Sequence, residues 1–193
     1  EFFGLEFEVT PAAIIPRPET ETLVELVLAF CGSRGPSEEL RIVDVGVGCG
    51  AIAVALAVGL PQAAVIAVDI SAETLALARR NAERHGVAER IGFREGDLLA
   101  PLAAQVDVIA ANLPYVRSAD FEASPPEIRE HEPRLGLDGG PDGLRLIERL
   151  LRDAPACLKP GGALFAEIGE EQGEAALALA QPCFPGAQTE IRK

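Results

Sequence analysis

The sequence predicts an α/β domain of the Rossmann-like class, with a mostly parallel sheet and helices on both of its faces. From residue 40 onward, short β-rich runs alternate with segments of helical length. The runs at 40–45, 64–68, 106–111 and 163–168 are mostly apolar, which is typical of parallel strands that helices cover on both sides. The length of 193 residues fits one domain, so we expect a single domain over residues 1–193.

Residues 1–18 are expected to form a hairpin and a linker to an N-terminal domain that is absent here. Apolar runs at 2–9 and 12–15 flank Thr10-Pro11, which is typical of a turn. A helix over 20–31 and a linker over 32–39 follow. The chain has no methionine, so we expect a fragment of a longer protein.

The core, residues 19–193, continues with alternating elements. The predicted strands are 40–45, 64–68, 90–94, 106–111, 163–168 and 189–192. The predicted helices are 51–58, 72–85 with Ser71 as its N-cap and Gly86 after its end, 142–157 with Asp142 as its cap, and 171–180. An irregular stretch over 114–140 and a turn over 159–162 complete the pattern.

Composition excludes several classes of protein. Thirty acidic against 17 basic residues give a net charge of −13, which disfavours a protein that grips nucleic-acid backbones. The four cysteines form no C-x-x-C pair, so neither a zinc site nor a disulfide framework is expected. Glycine and proline interrupt the most apolar stretch, 51–68, so no membrane span is expected, and a cytoplasmic monomer fits best.

A glycine loop between the first strand and its helix predicts a nucleoside cofactor. Residues 43–50 read VDVGVGCG, and glycines there allow a tight turn and close approach of a ligand. Asp69 ends the second strand, where a carboxylate accepts from ribose hydroxyls. This pairing fits both NAD and S-adenosylmethionine. Asp97, after the third strand, would reach an adenine or cap a helix.

The segment Asn112-Leu113-Pro114-Tyr115 predicts a substrate site. Asn112 ends an apolar strand and offers a side-chain carbonyl, while Pro114 favours an extended Leu113 whose main-chain carbonyl is a second acceptor. Two converging acceptors can hold a planar NH₂ group with its nitrogen facing an electrophilic methyl. Tyr115 can form an aromatic wall against the flat substrate.

These residues resemble the N-P-P-Y motif of methyltransferases that act on planar nitrogens, with Leu113 in place of the first proline. Three further stretches are similar to motifs of the release factor glutamine methyltransferase (PrmC/HemK) family. They are IPRPETE at 15–21, EPRLGLDGGPDGL at 132–144, and LKPGG followed by EIG at 158–162 and 167–169. The resemblance covers nearly the whole chain, and it implies an N-terminal domain and a C-terminal tail that are missing from this fragment.

The resemblance implies a class I methyltransferase that uses S-adenosyl-L-methionine and releases S-adenosyl-L-homocysteine. Its substrate would be the Gly-Gly-Gln glutamine of a class I peptide chain release factor, methylated at N5. The implied cofactor residues are Gly46, Val47, Gly48, Cys49, Gly50, Asp69, Asp97, Leu98 and Asn112. The implied catalytic residues are Asn112, Leu113, Pro114 and Tyr115.

Four other functions remain open from the sequence. They are glutamine methylation of a ribosomal protein, N6-adenine methylation of nucleic acid, NAD-dependent oxidoreduction, and cofactor binding without transfer. The charge of −13 disfavours the nucleic-acid substrate, and an oxidoreductase leaves 112–115 unexplained. We expect no direct contact with nucleic acid or membrane.

Overall fold

A computed structural model describes residues 1–33 and 40–192 of the chain, so most of the predicted linker, 34–39, lies outside the described residues. The elements are, in order, α1 (Glu21–Ser33), β1 (Leu40–Val45), α2 (Ala51–Gly59), β2 (Ala63–Asp69), α3 (Ala72–Arg84), β3 (Ile91–Glu95), β4 (Val106–Ala111), β5 (Val116–Arg117), α4 (Ser118–Glu122), α5 (Pro126–His131), β6 (Asp138–Gly140), α6 (Arg145–Cys157), β7 (Leu158–Ala166) and α7 (Gly173–Cys183). No helix within these described ranges is long and apolar enough to cross a membrane.

Five strands form a parallel sheet in the order β3-β2-β1-β4-β7, which confirms the predicted fold class. Strands β1 and β4 have the predicted bounds, because their apolar runs end at residues that leave the sheet. The strand order reverses between β1 and β4. In open α/β sheets, ligands bind beyond the carboxyl ends of the strands near such a reversal.

Helices cover both faces of the sheet. On one face α1, α2 and α3 pack against side chains such as Ile42, which joins a cluster with Leu56. On the other face α6 and α7 pack against Val43 and Ile109, in a cluster with Leu150. All five side chains are fully buried, and each contributes about 1.5–3 kcal/mol by leaving water.

The predicted helix after β2 is confirmed with its caps. Ser71 Oγ accepts a hydrogen bond of 3.2 Å from Thr74 N and so satisfies one free donor of the first turn of α3. Gly86 follows the helix with a φ of +67°, the left-handed conformation that ends many helices.

The predicted N-terminal hairpin is wrong. Over residues 1–17, all described, strand-like pairing is limited to an isolated bridge between Phe2 and Leu5. The backbone of this segment pairs instead with a side chain of α3, since Asn81 accepts from Glu8 N at 2.8 Å and donates to Glu8 O at 2.9 Å. Some of the apolar residues that suggested strands pack into the core, where Phe2 is 1% exposed, whereas Val9 and Ile15 are exposed.

Three other predictions need correction. The stretch 114–140, predicted as irregular, contains β5, α4, α5 and β6, and Val116 N donates to Leu137 O at 2.9 Å. The predicted turn at 159–162 lies within β7, where the register against β4 shifts and Gly161 has a φ of +75°. The described residues 187–192 form no strand, because a short segment with charges on both sides of Ile191 buries too little apolar surface.

Asn81 offers a test of the N-terminal attachment. It is 1% exposed and also donates to Cys49 O at 2.8 Å, so Asn81→Ala leaves several main-chain groups without partners. We expect the free energy of unfolding to fall by about 2–4 kcal/mol, measured by denaturant titration. Arg80→Ala is the control, because Arg80 holds Glu8 only through an exposed ion pair. Equal losses in both variants would contradict the buried role of Asn81.

Candidate active site

The parallel register brings the polar strand ends together. Val45 of β1 pairs with Ala111 of β4, and Ala111 pairs with Ala166 of β7. Because the three strands run in the same direction, the residues that follow them lie side by side at one edge of the sheet. These residues are Gly46, Asn112 and Glu167.

The glycine loop turns sharply from β1 into α2. Gly46 has a φ of +77°, and its N–H donates to Val68 O at 2.8 Å. A Cβ added at Gly46 would lie 2.9 Å from Leu113 Cδ2, so both the conformation and the close packing require glycine there. At Gly48 the nearest atom to such a Cβ is Gly46 O at 4.0 Å, which leaves an open cradle. Val47 and Cys49 bury their side chains in the core.

Asp69 lies against this loop, as predicted. Its Oδ2 accepts from Gly48 N at 3.2 Å and its Oδ1 accepts from Ser71 N at 3.0 Å. Burial raises the pKa of Asp69, although the hydrogen bonds from Ser71 and Gly48 oppose that shift. The carboxylate is therefore held at the end of β2 beside the cradle at Gly48.

Asp97 and Leu98 lie next to Asp69, because Gly96 N donates to Asp69 O at 2.9 Å. Asp97 is exposed, and its Oδ2 accepts from Arg149 Nη2 of α6 at 2.6 Å. Leu98 is buried and has a φ of +50°, which is uncommon for a residue with a side chain. The structure thus brings this pair to the predicted edge, with the Asp97 carboxylate engaged by α6.

A buried carboxyl group lies directly beneath the glycine loop. Asp44 is 0% exposed; its Oδ2 accepts from Ala53 N at 3.0 Å, and its Oδ1 is buried without a hydrogen-bond partner. Burial raises the pKa of Asp44 to about 7, the hydrogen bond from Ala53 opposes this, and the nearby charge of Asp69 adds to it. This carboxyl group fixes the first turn of α2 under the cradle.

Asn112 is held by a network of polar side chains. Its Nδ2 donates to Thr20 Oγ1 at 2.9 Å, and Thr20 Oγ1 donates to Glu167 Oε2 at 2.6 Å. Tyr115 Oη donates to the other oxygen of that carboxylate, Oε1, at 3.1 Å. Burial and the charge of Glu167 raise the pKa of Tyr115 to about 12, so its hydroxyl remains a donor at neutral pH.

The segment 112–115 is also fixed from the side of residues 138–143. Gly143 has a φ of +76°, and a Cβ added there would lie 2.1 Å from Tyr115 O. Gln172 Nε2 donates to the same carbonyl at 2.9 Å. Glycine is therefore required at position 143 for the motif at 132–144 to pack against the backbone of Tyr115.

An ion pair joins the first and second motifs. Arg17 Nη2 donates to Glu132 Oε1 at 2.5 Å, and the Glu132 side chain is only 8% exposed. A Cβ added at Gly136 would lie 2.9 Å from Ile14 Cγ2, so the two stretches also pack closely. The motifs that are far apart in sequence are neighbours around one edge of the sheet.

The structure therefore brings the predicted glycine loop, Asp69, Asp97, Leu98 and residues 112–115 to one edge. Sequence reasoning gave no role to Thr20, Glu167 or Asp44. Thr20 and Glu167 belong to motifs that the sequence singled out, but Thr20 was predicted as the start of a helix and Glu167 as part of a strand, so neither was predicted as a site residue. The sequence holds no comparable signal that one oxygen of Asp44 is unpaired.

Comparison with known proteins supports this picture. The family model of the methyltransferase small domain matches residues 26–125. A release factor glutamine methyltransferase of Geobacter sulfurreducens is 48% identical over 93% of this chain and 61% of the relative. One of Moorella thermoacetica is 47% identical over 94% of this chain and 63% of the relative. The chain thus spans about three fifths of these relatives, and the predicted resemblance is confirmed.

A solved structure shares the fold. A methyltransferase from Pyrococcus furiosus superposes with a TM-score of 0.61 at 19% identity, covering 94% of this chain and 77% of that protein. At this identity the likeness concerns the arrangement of strands and helices alone.

Asp44 predicts a pH dependence of stability. With a folded pKa of about 7 against an ordinary value of 3.8, the folded state keeps a proton that the unfolded state has lost. Stability should therefore fall as the pH rises from 3.8 to about 7, by about 1.4 kcal/mol per pH unit, and then level off. Denaturant titrations of the protein and of Asp44→Asn across this range measure the difference. Parallel curves for the two proteins would contradict the prediction.

Proposed function

This chain belongs to the methyltransferase small domain family, and from that premise we propose that it is a single catalytic domain for protein glutamine methylation. In this proposal, it transfers a methyl group from S-adenosyl-L-methionine to N5 of the glutamine in the Gly-Gly-Gln motif of a class I peptide chain release factor. It acts as a monomer, and its substrate assigns it to the cytoplasm. The names of the relatives support the choice of substrate.

One observation carries the proposal. Asn112 gives its Nδ2 to Thr20, so its Oδ1 is the part of the amide that remains to accept a hydrogen bond from a substrate. The main-chain carbonyl of Leu113 follows directly and is held in place by the buried contact of its side chain with Gly46. Two acceptors suit the NH₂ of a glutamine side chain, which offers two donors.

The residues present fit the proposed cofactor. The open cradle at Gly48 accommodates its methionine part, the Asp69 carboxylate accepts from its ribose hydroxyls, and the stretch with Asp97 and Leu98 borders its adenine. Val47, Cys49 and Gly50 contribute main-chain groups. When bound, the cofactor supplies an electrophilic sulfonium methyl.

The protein contributes position and electrostatics to the transfer. An amide nitrogen is a weak nucleophile because its lone pair is delocalised, so its alignment with the methyl matters more than a strong base. Positive charge develops on the nitrogen during transfer, and the carbonyl acceptors at Asn112 and Leu113 would stabilise it. The nitrogen then gives up one proton to water, and the cofactor would leave as S-adenosyl-L-homocysteine. Pro114 and Tyr115 hold the loop and flank the flat amide.

The net charge favours a protein substrate over nucleic acid. At −13, the chain repels phosphate backbones and attracts a partner whose exposed loop is basic. Methylation of a ribosomal protein glutamine uses the same chemistry and is the remaining competitor. The charge disfavours the adenine substrate, an oxidoreductase leaves residues 112–115 without a role, and the transfer assay below separates an inert binding module from an active enzyme.

A transfer assay tests the function. The protein is incubated with methyl-labelled S-adenosylmethionine and, in parallel, with a release factor, a ribosomal protein and duplex DNA. We expect label in the Gly-Gly-Gln glutamine, identified by peptide mass analysis. Label confined to DNA or to the ribosomal protein would overturn the proposed substrate, and binding of the cofactor without any transfer would overturn the activity.

Asn112→Ala tests the site. The substitution removes the amide acceptor, so we expect the transfer rate to fall by about 100-fold or more while the cofactor affinity stays within a few-fold. Calorimetry and the labelled assay measure the two quantities. Gln105→Ala is the control, because it removes an exposed amide just before β4, at the opposite end of that strand from Asn112. Full activity in Asn112→Ala would refute the assigned role.

A further inference from the structure

Two consecutive hydrogen bonds connect Asn112 to Glu167 through Thr20, and their donors and acceptors cannot be exchanged. Asn112 Nδ2 donates to Thr20 Oγ1 at 2.9 Å, and Thr20 Oγ1 donates to Glu167 Oε2 at 2.6 Å. Thr20 is 3% exposed, so water does not compete for its hydroxyl. The three residues come from the turn before α1, the end of β4 and the end of β7.

The carboxylate decides the direction. An ionised Glu167 only accepts hydrogen bonds, so the single proton of Thr20 points toward it. The lone pairs of Thr20 Oγ1 then face Asn112, so Asn112 can bind Thr20 only by donating from its NH₂ group. The amide cannot turn over without losing its hydrogen bond to Thr20, and its Oδ1 therefore faces away from the network.

The carboxylate itself is fixed on two sides. Glu167 N donates to Ala111 O at 2.9 Å, which ties it to the strand that carries Asn112. Its second oxygen, Oε1, accepts from Tyr115 Oη at 3.1 Å. Both oxygens thus face hydroxyl donors, and the network has no spare donor that could reverse the direction of the Thr20 hydroxyl.

We propose that Thr20 and Glu167 are positioning residues that orient the Asn112 amide, and that this orientation selects a glutamine over a glutamate side chain. The selection rests on the function proposed above. Two acceptors, Asn112 Oδ1 and the Leu113 carbonyl, bind the NH₂ of a glutamine and repel the carboxylate of a glutamate. A reversed amide at Asn112 would offer donors instead and would accept the acid.

We call the hydrogen bonds from Asn112 through Thr20 to Glu167 the relay. Thr20→Val tests it, because the substitution keeps the shape of the side chain and removes the hydroxyl. We expect kcat to fall by about 100-fold, since the amide loses its fixed orientation, with the cofactor Kd within about 2-fold. Thr20→Ser restores the hydroxyl and recovers most of the activity. Thr74→Val is the control for loss of a buried hydroxyl: Thr74 is also buried, and it donates to Ala12 O at 3.1 Å, outside the network of Asn112 and Glu167.

The selectivity is measured with a release factor whose Gly-Gly-Gln glutamine is replaced by glutamate. We expect the unaltered protein and Thr74→Val to bind the glutamine form much more tightly than the glutamate form. In Thr20→Val, the ratio of the two affinities should fall by about 10-fold or more. If Thr20 had only a structural role, its replacement would weaken the binding of both forms equally and leave the ratio of affinities unchanged. An unchanged ratio in Thr20→Val therefore overturns the relay, while transfer by the unaltered protein keeps the proposed function intact.

Two measurements keep the outcomes separate. Side-chain amide NMR of Asn112 should show protected Nδ2 protons in the protein and in Thr20→Ser, and rapid exchange in Thr20→Val; equal exchange in all three overturns the relay without reference to substrate. If Thr20→Val does not fold, Glu167→Gln is the second variant. Its amide places a donor next to the hydroxyls of Thr20 and Tyr115, so the ratio of affinities for the glutamine and glutamate forms should also fall. No transfer to the release factor by the unaltered protein overturns both the function and the selection.

Discussion

The parallel register of β1, β4 and β7 is the constraint on which the site depends. Pairing of Val45 with Ala111 and of Ala111 with Ala166 sets the three strand ends at one level. A shift of one residue in either pairing would turn side chains to the opposite face of the sheet and separate Asn112 from Glu167. The apolar side chains that fill both faces therefore fix the geometry of the candidate site as well as the fold.

The glycine loop and the segment 112–115 are packed as one unit. Leu113 presses on Gly46, and Gly143 lets the second motif approach the backbone at Tyr115. This arrangement explains why leucine can stand where the resembling motif has proline: the neighbouring loop supplies positional restraint that a ring would otherwise give. The same packing means that a change in residues 112–115 reaches the loop without any ligand between them.

Local patterns predicted the parts of the structure that local physics determines. The bounds of β1 and β4 and the caps of α3 followed from apolar runs and from Ser71 and Gly86. The hairpin failed because Asn81, a distant side chain, satisfies the backbone that a partner strand would have paired. The candidate site was largely found through its glycines and strand ends. Thr20 and Glu167 escaped because their contact joins residues 147 positions apart, and no local pattern records such a contact.

This separation has a consequence for synthesis of the protein. A chain grows from its N-terminus, and domains tend to fold as they emerge. Thr20 and Asn112 are made long before Glu167, so the Thr20 hydroxyl lacks its carboxylate acceptor until β7 and the residue after it have been made. β7, which joins the described sheet through β4 at its edge, adds that acceptor last. The proposed selection of glutamine is therefore complete only once the last strand of the described sheet has joined.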